Sequence, residues 1–178
     1  MNAGQHVAGA GGRPHTNGLV CGLVFALVSG LLSGCGAVPS RMAPGLSRAE
    51  VLTQAGRPTA TYPLPVGERL QYSELPAGVA VHNLDFNAQG QLVRAEQALT
   101  LASLHRIKVD HWTAANLRQL LGQPYRVERV ARFDGDVWTY RFQDMGSFRF
   151  IHIHLDSAGV VRKIQFTDDL PELDDSRS

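Results

Sequence analysis

Cysteine is nearly absent from this chain. Of 178 residues only Cys21 and Cys35 carry a thiol, and both precede residue 36. Whatever folds beyond that point has no disulfide framework and no cysteine-built metal site, so its stability rests on a core. The short motifs of chemistry are missing too. No Gly-x-Ser-x-Gly, no His-Glu-x-x-His and no phosphate-cradling glycine loop occurs. Carboxylates such as Glu50 and Glu96 have no partner identifiable in sequence, and no enzymatic activity is expected. Charge excess is lacking as well. Arg13 is the one charged residue before Cys35, which leaves 16 of the 17 basic residues against 16 acidic ones. That balance gives no electrostatic case for nucleic acid or for anionic lipid. Finally, no apolar run reaches the ~20 residues that a membrane-spanning helix needs.

What is present begins with Leu19–Leu32, fourteen residues with no charge and with Gly22, Ser29 and Gly30 among apolar side chains. The length fits the apolar core of a secretory signal. Leu32-Ser33-Gly34-Cys35 follows: small residues that let a peptidase approach, then a sulfur nucleophile at the first mature position. The stretch resembles a bacterial lipoprotein signal with its lipobox. The resemblance implies cleavage after Gly34, lipid on Cys35 and a membrane attachment through several acyl chains. Gly36 stands where such families place Asp for inner-membrane retention, which implies the outer membrane, facing the periplasm. An uncleaved helix from Leu19 to Val38 is opposed by Gly34, Gly36 and Pro39. Residues 1–34 are therefore read as signal peptide and 35–45, with Pro39, Pro44 and Gly45, as a flexible leash.

Beyond Leu46 the chain reads as one pattern twice. Ser47-Arg48-Ala49-Glu50 is a capping box opening a short helix, closed by Gly56 with Pro58 beyond. Strand-like runs ERLQYSEL, VAVHNLDF and QLVRAEQAL follow, separated by turn signals at Gly67, Gly78 and Gly90. Then TLASLHRI suggests a second short helix, and Trp112-Thr113 opens another, ending at Gly122 with Pro124. The runs YRVERVARF, DVWTYRF, FRFIHIHL and VVRKIQF follow, separated at Asp134-Gly135, Met145-Gly146 and Ala158-Gly159, and Asp134-Gly135 is read as a hairpin turn. Gly56 and Gly122, like Pro58 and Pro124, lie 66 apart; Tyr72 and Tyr140 lie 68 apart; Gly90 and Gly159 lie 69 apart. The expectation is an α+β fold of two tandem repeats, 46–98 and 99–168. Each is a short helix or helix pair on a three- to four-stranded antiparallel meander. An acidic disordered tail is expected over 169–178.

The pattern Leu46-Ser47-x-x-Glu50-Val51, Gly56-x-Pro58, Tyr72, Phe86-x-x-x-Gly90 resembles the BamE/SmpA-OmlA family of small outer-membrane lipoproteins. Trp112-Thr113, Leu121-Gly122-x-Pro124, Trp138-x-Tyr140 and Leu155-Asp156-x-x-Gly159 repeat it. A tandem of such units is also similar to the β-lactamase-inhibitor-protein architecture. The first resemblance implies a non-enzymatic protein-binding module in outer-membrane assembly or maintenance, with an envelope protein as partner. The second implies an inhibitor or sequestering protein for an envelope hydrolase. No cofactor is implied.

Candidate chemistry is sparse. His152 and His154 alternate on one strand, so they share a face about 7 Å apart. With His82 in the matching strand they form a candidate metal set. The competing reading makes them the solvated face of a sheet, with Ile151, Ile153 and Leu155 behind. Arg126, Arg129, Arg132, Arg141 and Arg149 are interleaved with acids and read as mixed surface. Trp138 and Tyr140 read as core. The lipid expectation is tested by feeding cells an alkyne fatty acid: the parent chain is labelled and Cys35→Ala is not, and equal label in both refutes the lipobox.

Overall fold

The computed structural model describes residues 38–169. The lipobox Leu32, Ser33, Gly34 and Cys35, and residues 170–178 of the tail, lie outside them. Two capping boxes start the two main helices. The Ser47 amide donates to Glu50 Oε2 at 2.8 Å and the Glu50 amide donates back to Ser47 Oγ, opening α1, Arg48–Ala55. The Thr113 amide donates to Asn116 Oδ1 at 2.9 Å, opening α3, Ala114–Leu121. Between them α2, Leu101–Leu104, is one turn. These helices are too short to persist alone.

Two four-stranded antiparallel meanders supply what they pack on. The first runs β1 (Ala60–Pro63), β2 (Glu68–Ser73), β3 (Val81–Phe86), β4 (Leu92–Gln97); the second runs β5 (Arg126–Glu128), β6 (Gly135–Asp144), β7 (Ser147–Asp156), β8 (Val161–Asp168). The α+β fold of two tandem units stands. Internal symmetry reaches single atoms. Tyr72 Oη donates to the Gly56 carbonyl at 3.0 Å, and Tyr140 Oη to that of Gly122 at 3.1 Å. A bulge falls between Asp85 and Phe86 in one sheet and between His154 and Leu155 in the other.

Alternation divides each sheet into two faces. The inner face of the first carries Leu70, Tyr72, Leu84 and Phe86, which pack with Val51 of α1 and with Met42. The inner face of the second carries Trp138, Tyr140, Phe142, Ile151 and Ile153 against Leu117, Leu120 and Leu121 of α3. Leu117 and Leu121 are fully buried, worth roughly 1.5–3 kcal/mol each. Leu52 remains half-buried.

The units are joined by the outer face of the first sheet, which carries Arg69, Gln71, Asn83 and Asp85. These side chains meet the end of α3. Asn83 Nδ2 donates to the Leu120 carbonyl at 2.8 Å, Gln71 Nε2 to those of Arg118 and Gln119 at 3.3 Å, and Arg69 Nη1 to that of Gln119 at 3.0 Å. A helix C-terminus leaves its last carbonyls short of intrahelical donors, with that of Arg118 also taking the capping Gly122 amide, and carries partial negative charge. Arg69 is held by Asp85 in a two-pronged ion pair of 2.6 and 2.9 Å. The order of layers is α1, first sheet, α3, second sheet.

Three expectations are corrected. Asp134-Gly135 is not a hairpin turn. Gly135 is already paired with Asp156 in β6, and a Cβ there would stand 2.0 Å from the Leu155 carbonyl oxygen. Gly67 meets the Phe86 carbonyl in the same way, at 1.9 Å. Both glycines therefore mark close strand approach. The two-residue turn is Met145-Gly146, both at positive φ between the paired Asp144 and Ser147. The leash read over 35–45 is structured from Val38 onward: Pro39–Arg41 form a 3-10 turn, Met42 is buried, and the Gly45 amide donates to the Leu92 carbonyl at 2.7 Å. An apolar side chain at Met42 had a core to join. At the other end, Asp169 does not begin a disordered tail. Its amide donates to the Phe148 carbonyl and its carboxylate accepts from Arg141 at 2.7 Å.

The Arg69–Asp85 pair sets a clear stability test. Arg69→Ala strands a carboxylate in a nearly dry seam and is expected to cost ~3–5 kcal/mol. Arg69→Leu with Asp85→Leu should cost markedly less. Denaturant titrations of the three proteins check this, and equal losses for the single and double variants refute it.

Candidate binding surface

With both inner faces in the core and the first outer face under α3, one broad surface is left. Among the described residues no helix lies on the outer face of the second sheet. Its central strand, β7, presents Phe148, Phe150, His152 and His154 there, because alternate residues share a face. Neighbouring strands add Val137, Thr139 and Arg141 from β6 and Lys163, Gln165 and Thr167 from β8.

Aromatic rings organise this face. Tyr125 lies 6.1 Å from Phe150 between ring centres, and Phe150 lies 6.1 Å from His152. Phe133, from the 129–134 connection, meets His154 edge-on at 5.1 Å. The Arg141 guanidinium sits 4.1 Å above the centre of the Phe148 ring. Phe148 and Tyr125 keep about two-fifths of their surface in solvent, at 39% and 42%. Beneath them Thr139 and Val137 are buried. The result is a layer of aromatic rings over the buried Val137 and Thr139, rimmed by Arg126, Arg141 and Lys163.

The histidines are part of that layer. His152 Nδ1 is hydrogen-bonded to Thr139 Oγ1 at 2.9 Å, and its Nε2 to Thr167 Oγ1 at 2.9 Å. His154 Nε2 bonds Gln165 Oε1 at 3.1 Å. Both ring nitrogens of His152 are thus engaged within the sheet. His82 does not join them. It pairs with Tyr72 and so faces inward, 5% exposed, with Nε2 3.6 Å from Glu74 Oε1 and Nδ1 unbonded. The offset between the halves puts Ile151, not His152, in register with His82, and a shift of one residue changes the face. Among the described residues no three His, Cys, Asp or Glu side chains converge as metal ligands.

The remaining candidates fall where their neighbours put them. Arg126 pairs with Glu128, Arg129 with Asp136, and Arg149 with Asp144 and Asp168. Trp138 is buried, with the Arg118 guanidinium 4.6 Å from its ring centre, and Tyr140 is buried. The aromatic layer was within reach of the sequence. FRFIHIHL continues its histidine alternation backward through Phe150 and Phe148, and attention to metal spacing alone passes over those two rings.

Comparison with known proteins adds little. No family model matches the chain, and no curated protein matches it. Among solved structures it is similar to a DUF4309 family protein, YjgB, from Bacillus subtilis. The two share 16% identity with a TM-score of 0.30, over 68% of this chain and 78% of that one. Nothing is transferred from a likeness that distant. Among the described residues no helix is long and apolar enough to cross a membrane.

Burial first, then the charges of Arg126 and His154, hold the His152 imidazole below its ordinary pKa. The unfolded chain then binds this proton more readily, so stability rises with pH between the lowered native value and about pH 6.5. Its contribution is complete above that window and lost as pH falls through it. His152→Gln is expected to lose less melting temperature than the parent between pH 7.5 and pH 5. Parallel pH profiles refute the assignment.

Proposed function

We propose that this chain is a lipid-anchored envelope protein, attached through Cys35 to the outer membrane and facing the periplasm. Its tandem α+β units bind a protein partner in outer-membrane assembly or maintenance, without catalysis. The reading rests chiefly on one observation: no helix lies on the outer face of the second sheet among the described residues, and that face exposes Phe148 and Tyr125. Exposed aromatic surface with a polar rim is the composition of protein interfaces.

The anchor reading is supported by the lipobox residues Leu32, Ser33, Gly34 and Cys35. The early start of the fold adds a consequence. Only Gly36 and Ala37 separate Cys35 from Val38, where described structure begins. Three residue steps reach about 10 Å at most. A lipid on Cys35 therefore holds the domain close to the bilayer, and the partner is one that meets it there. The BamE/SmpA-OmlA resemblance points the same way. The rival reading, an inhibitor of an envelope hydrolase, draws on the same face, since inhibitors also dock broad preformed surfaces.

Purification of the intact, lipidated chain from gently solubilised membranes separates the two. Co-purification with barrel-assembly components is the expected result. A hydrolase in equimolar amount, inhibited by the added protein, overturns assembly in favour of inhibition. Inserting ten Gly/Ser residues between Ala37 and Val38 should weaken recovery of a bilayer-bound partner, and undiminished recovery argues against a membrane-proximal role.

A further inference from the structure

Beside the end of α3 the first sheet carries charge that nothing in the chain spends. Strand pairing lines up Arg69, Asp85 and Arg94 across β2, β3 and β4 on the outer face, with Glu96 two residues beyond Arg94. Trp112 and the side of α3 stand opposite this row. Between them lies a cavity of about 240 Å³, lined by Arg69, Arg94, Glu96, Arg106, Trp112 and Asn116 among others.

The charges of this cavity do not cancel. Glu96 pairs with both Arg94 and Arg106, and Asp85 pairs with Arg69. Three guanidinium groups against two carboxylates leave one positive charge. Donors are left over as well, since each guanidinium has five N–H groups. Arg69, 11% exposed, uses three of them, two on Asp85 and one on the Gln119 carbonyl. Among the described residues Arg94 is bonded only through Nη2, to Glu96. Arg106 is bonded only through Nη2, to Glu96 at 3.5 Å and to Ser103 at 3.2 Å. The even balance of charge over the whole chain conceals this local excess.

We propose that the cavity binds the phosphate of a phosphodiester, with the nearly buried Arg69 at its base and the half-exposed Arg94 and Arg106 at its mouth. A diester carries one negative charge and so balances the site. Its oxygens are tetrahedral, and they meet donors arriving in different planes: Arg69 and Arg94 from the sheet, Arg106 from the turn after α2. A flat carboxylate suits one guanidinium fork at a time. Size narrows the ligand further. Sites that enclose a whole small molecule measure roughly 300–1,000 Å³. This smaller cavity takes a head group and leaves the remainder of the molecule outside, which is how a phospholipid is built. β4 supplies Arg94 and Glu96, and at Leu92 it is tied to Gly45 and Leu46, ten and eleven residues after Cys35. The lipid as source rests on the anchor reading above; the phosphate site does not.

Native mass spectrometry of the full-length, lipidated chain in detergent reads bound lipid directly. Added phosphatidylglycerol should bind as one molecule, and diacylglycerol, which has the tails without the phosphate, should not. Arg94→Gln and Arg106→Gln should each weaken binding about tenfold. Their melting temperatures should stay nearly unchanged, because both side chains are half-exposed. Arg57→Gln, exposed and outside this lining, is the control and should bind as the parent does. Equal binding of diacylglycerol, or undiminished binding in both cavity variants, overturns the proposal. Dimethyl phosphate and acetate form the soluble arm, read from the arginine Nε–H signals by NMR. Dimethyl phosphate should shift those of Arg94 and Arg106, and acetate should bind about tenfold more weakly. Equal binding of acetate overturns the choice of phosphate. Dimethyl phosphate bound without phosphatidylglycerol keeps the site and removes the lipid as its source; neither bound removes the site. Phosphatidylglycerol bound by a chain whose Cys35 takes no fatty-acid label would sink the anchor reading and leave the site standing. Label without either ligand does the reverse.

Discussion

Everything in this molecule turns on how the end of α3 is satisfied. A helix terminus placed between two sheets has carbonyls that water cannot freely reach, and each unmet one costs about 1–3 kcal/mol. The first sheet answers with Arg69, Gln71 and Asn83, and Asp85 neutralises the guanidinium this requires. That demand makes β3 the one strand buried along its whole length, with polar side chains on one face and apolar ones on the other. The apolar side belongs to the core of its own unit, the polar side to the helix of the next.

Because the seam is polar, each unit keeps its own apolar core. Met42, Val51, Leu70, Leu84 and Phe86 form one cluster, and the α3 leucines with Trp138, Tyr140, Phe142, Ile151 and Ile153 form the other. Val81, Ala98 and Leu99 cross into the second cluster at the edge of the seam. The described residues, which include no cysteine, thus form two small cores instead of one large one. The seam couples them through directional hydrogen bonds that fix their register more tightly than oily contact would.

Much of this was legible in sequence because it is written in local chemistry. The capping box at Ser47, the glycines closing α1 and α3, and the spacing of Tyr72 and Tyr140 each state a backbone requirement that one residue type meets. The errors came where the requirement is tertiary. Gly135 looks like a turn residue, yet its reason is the Leu155 carbonyl across the sheet. Met42 looks like leash until a core exists for it to enter. His82 and His152 match in a loose alignment and separate once strand pairing fixes the face. The seam itself was hidden, since Gln71 and Asn83 on strands read as surface until a helix end is known to lie over them.

The outer face of the second sheet satisfies its polar groups within itself. At the equivalent positions of the second sheet the charged pair of Arg69 and Asp85 is not repeated. Val137 and His154 stand there instead, and Thr139 spends its hydroxyl on His152 instead of on water. A face whose polar groups are already bonded to one another loses few water contacts when something covers it. The Thr139–His152–Thr167 ladder ties β6, β7 and β8 together across this face, as the three side-chain donors of the first sheet tie that one to α3.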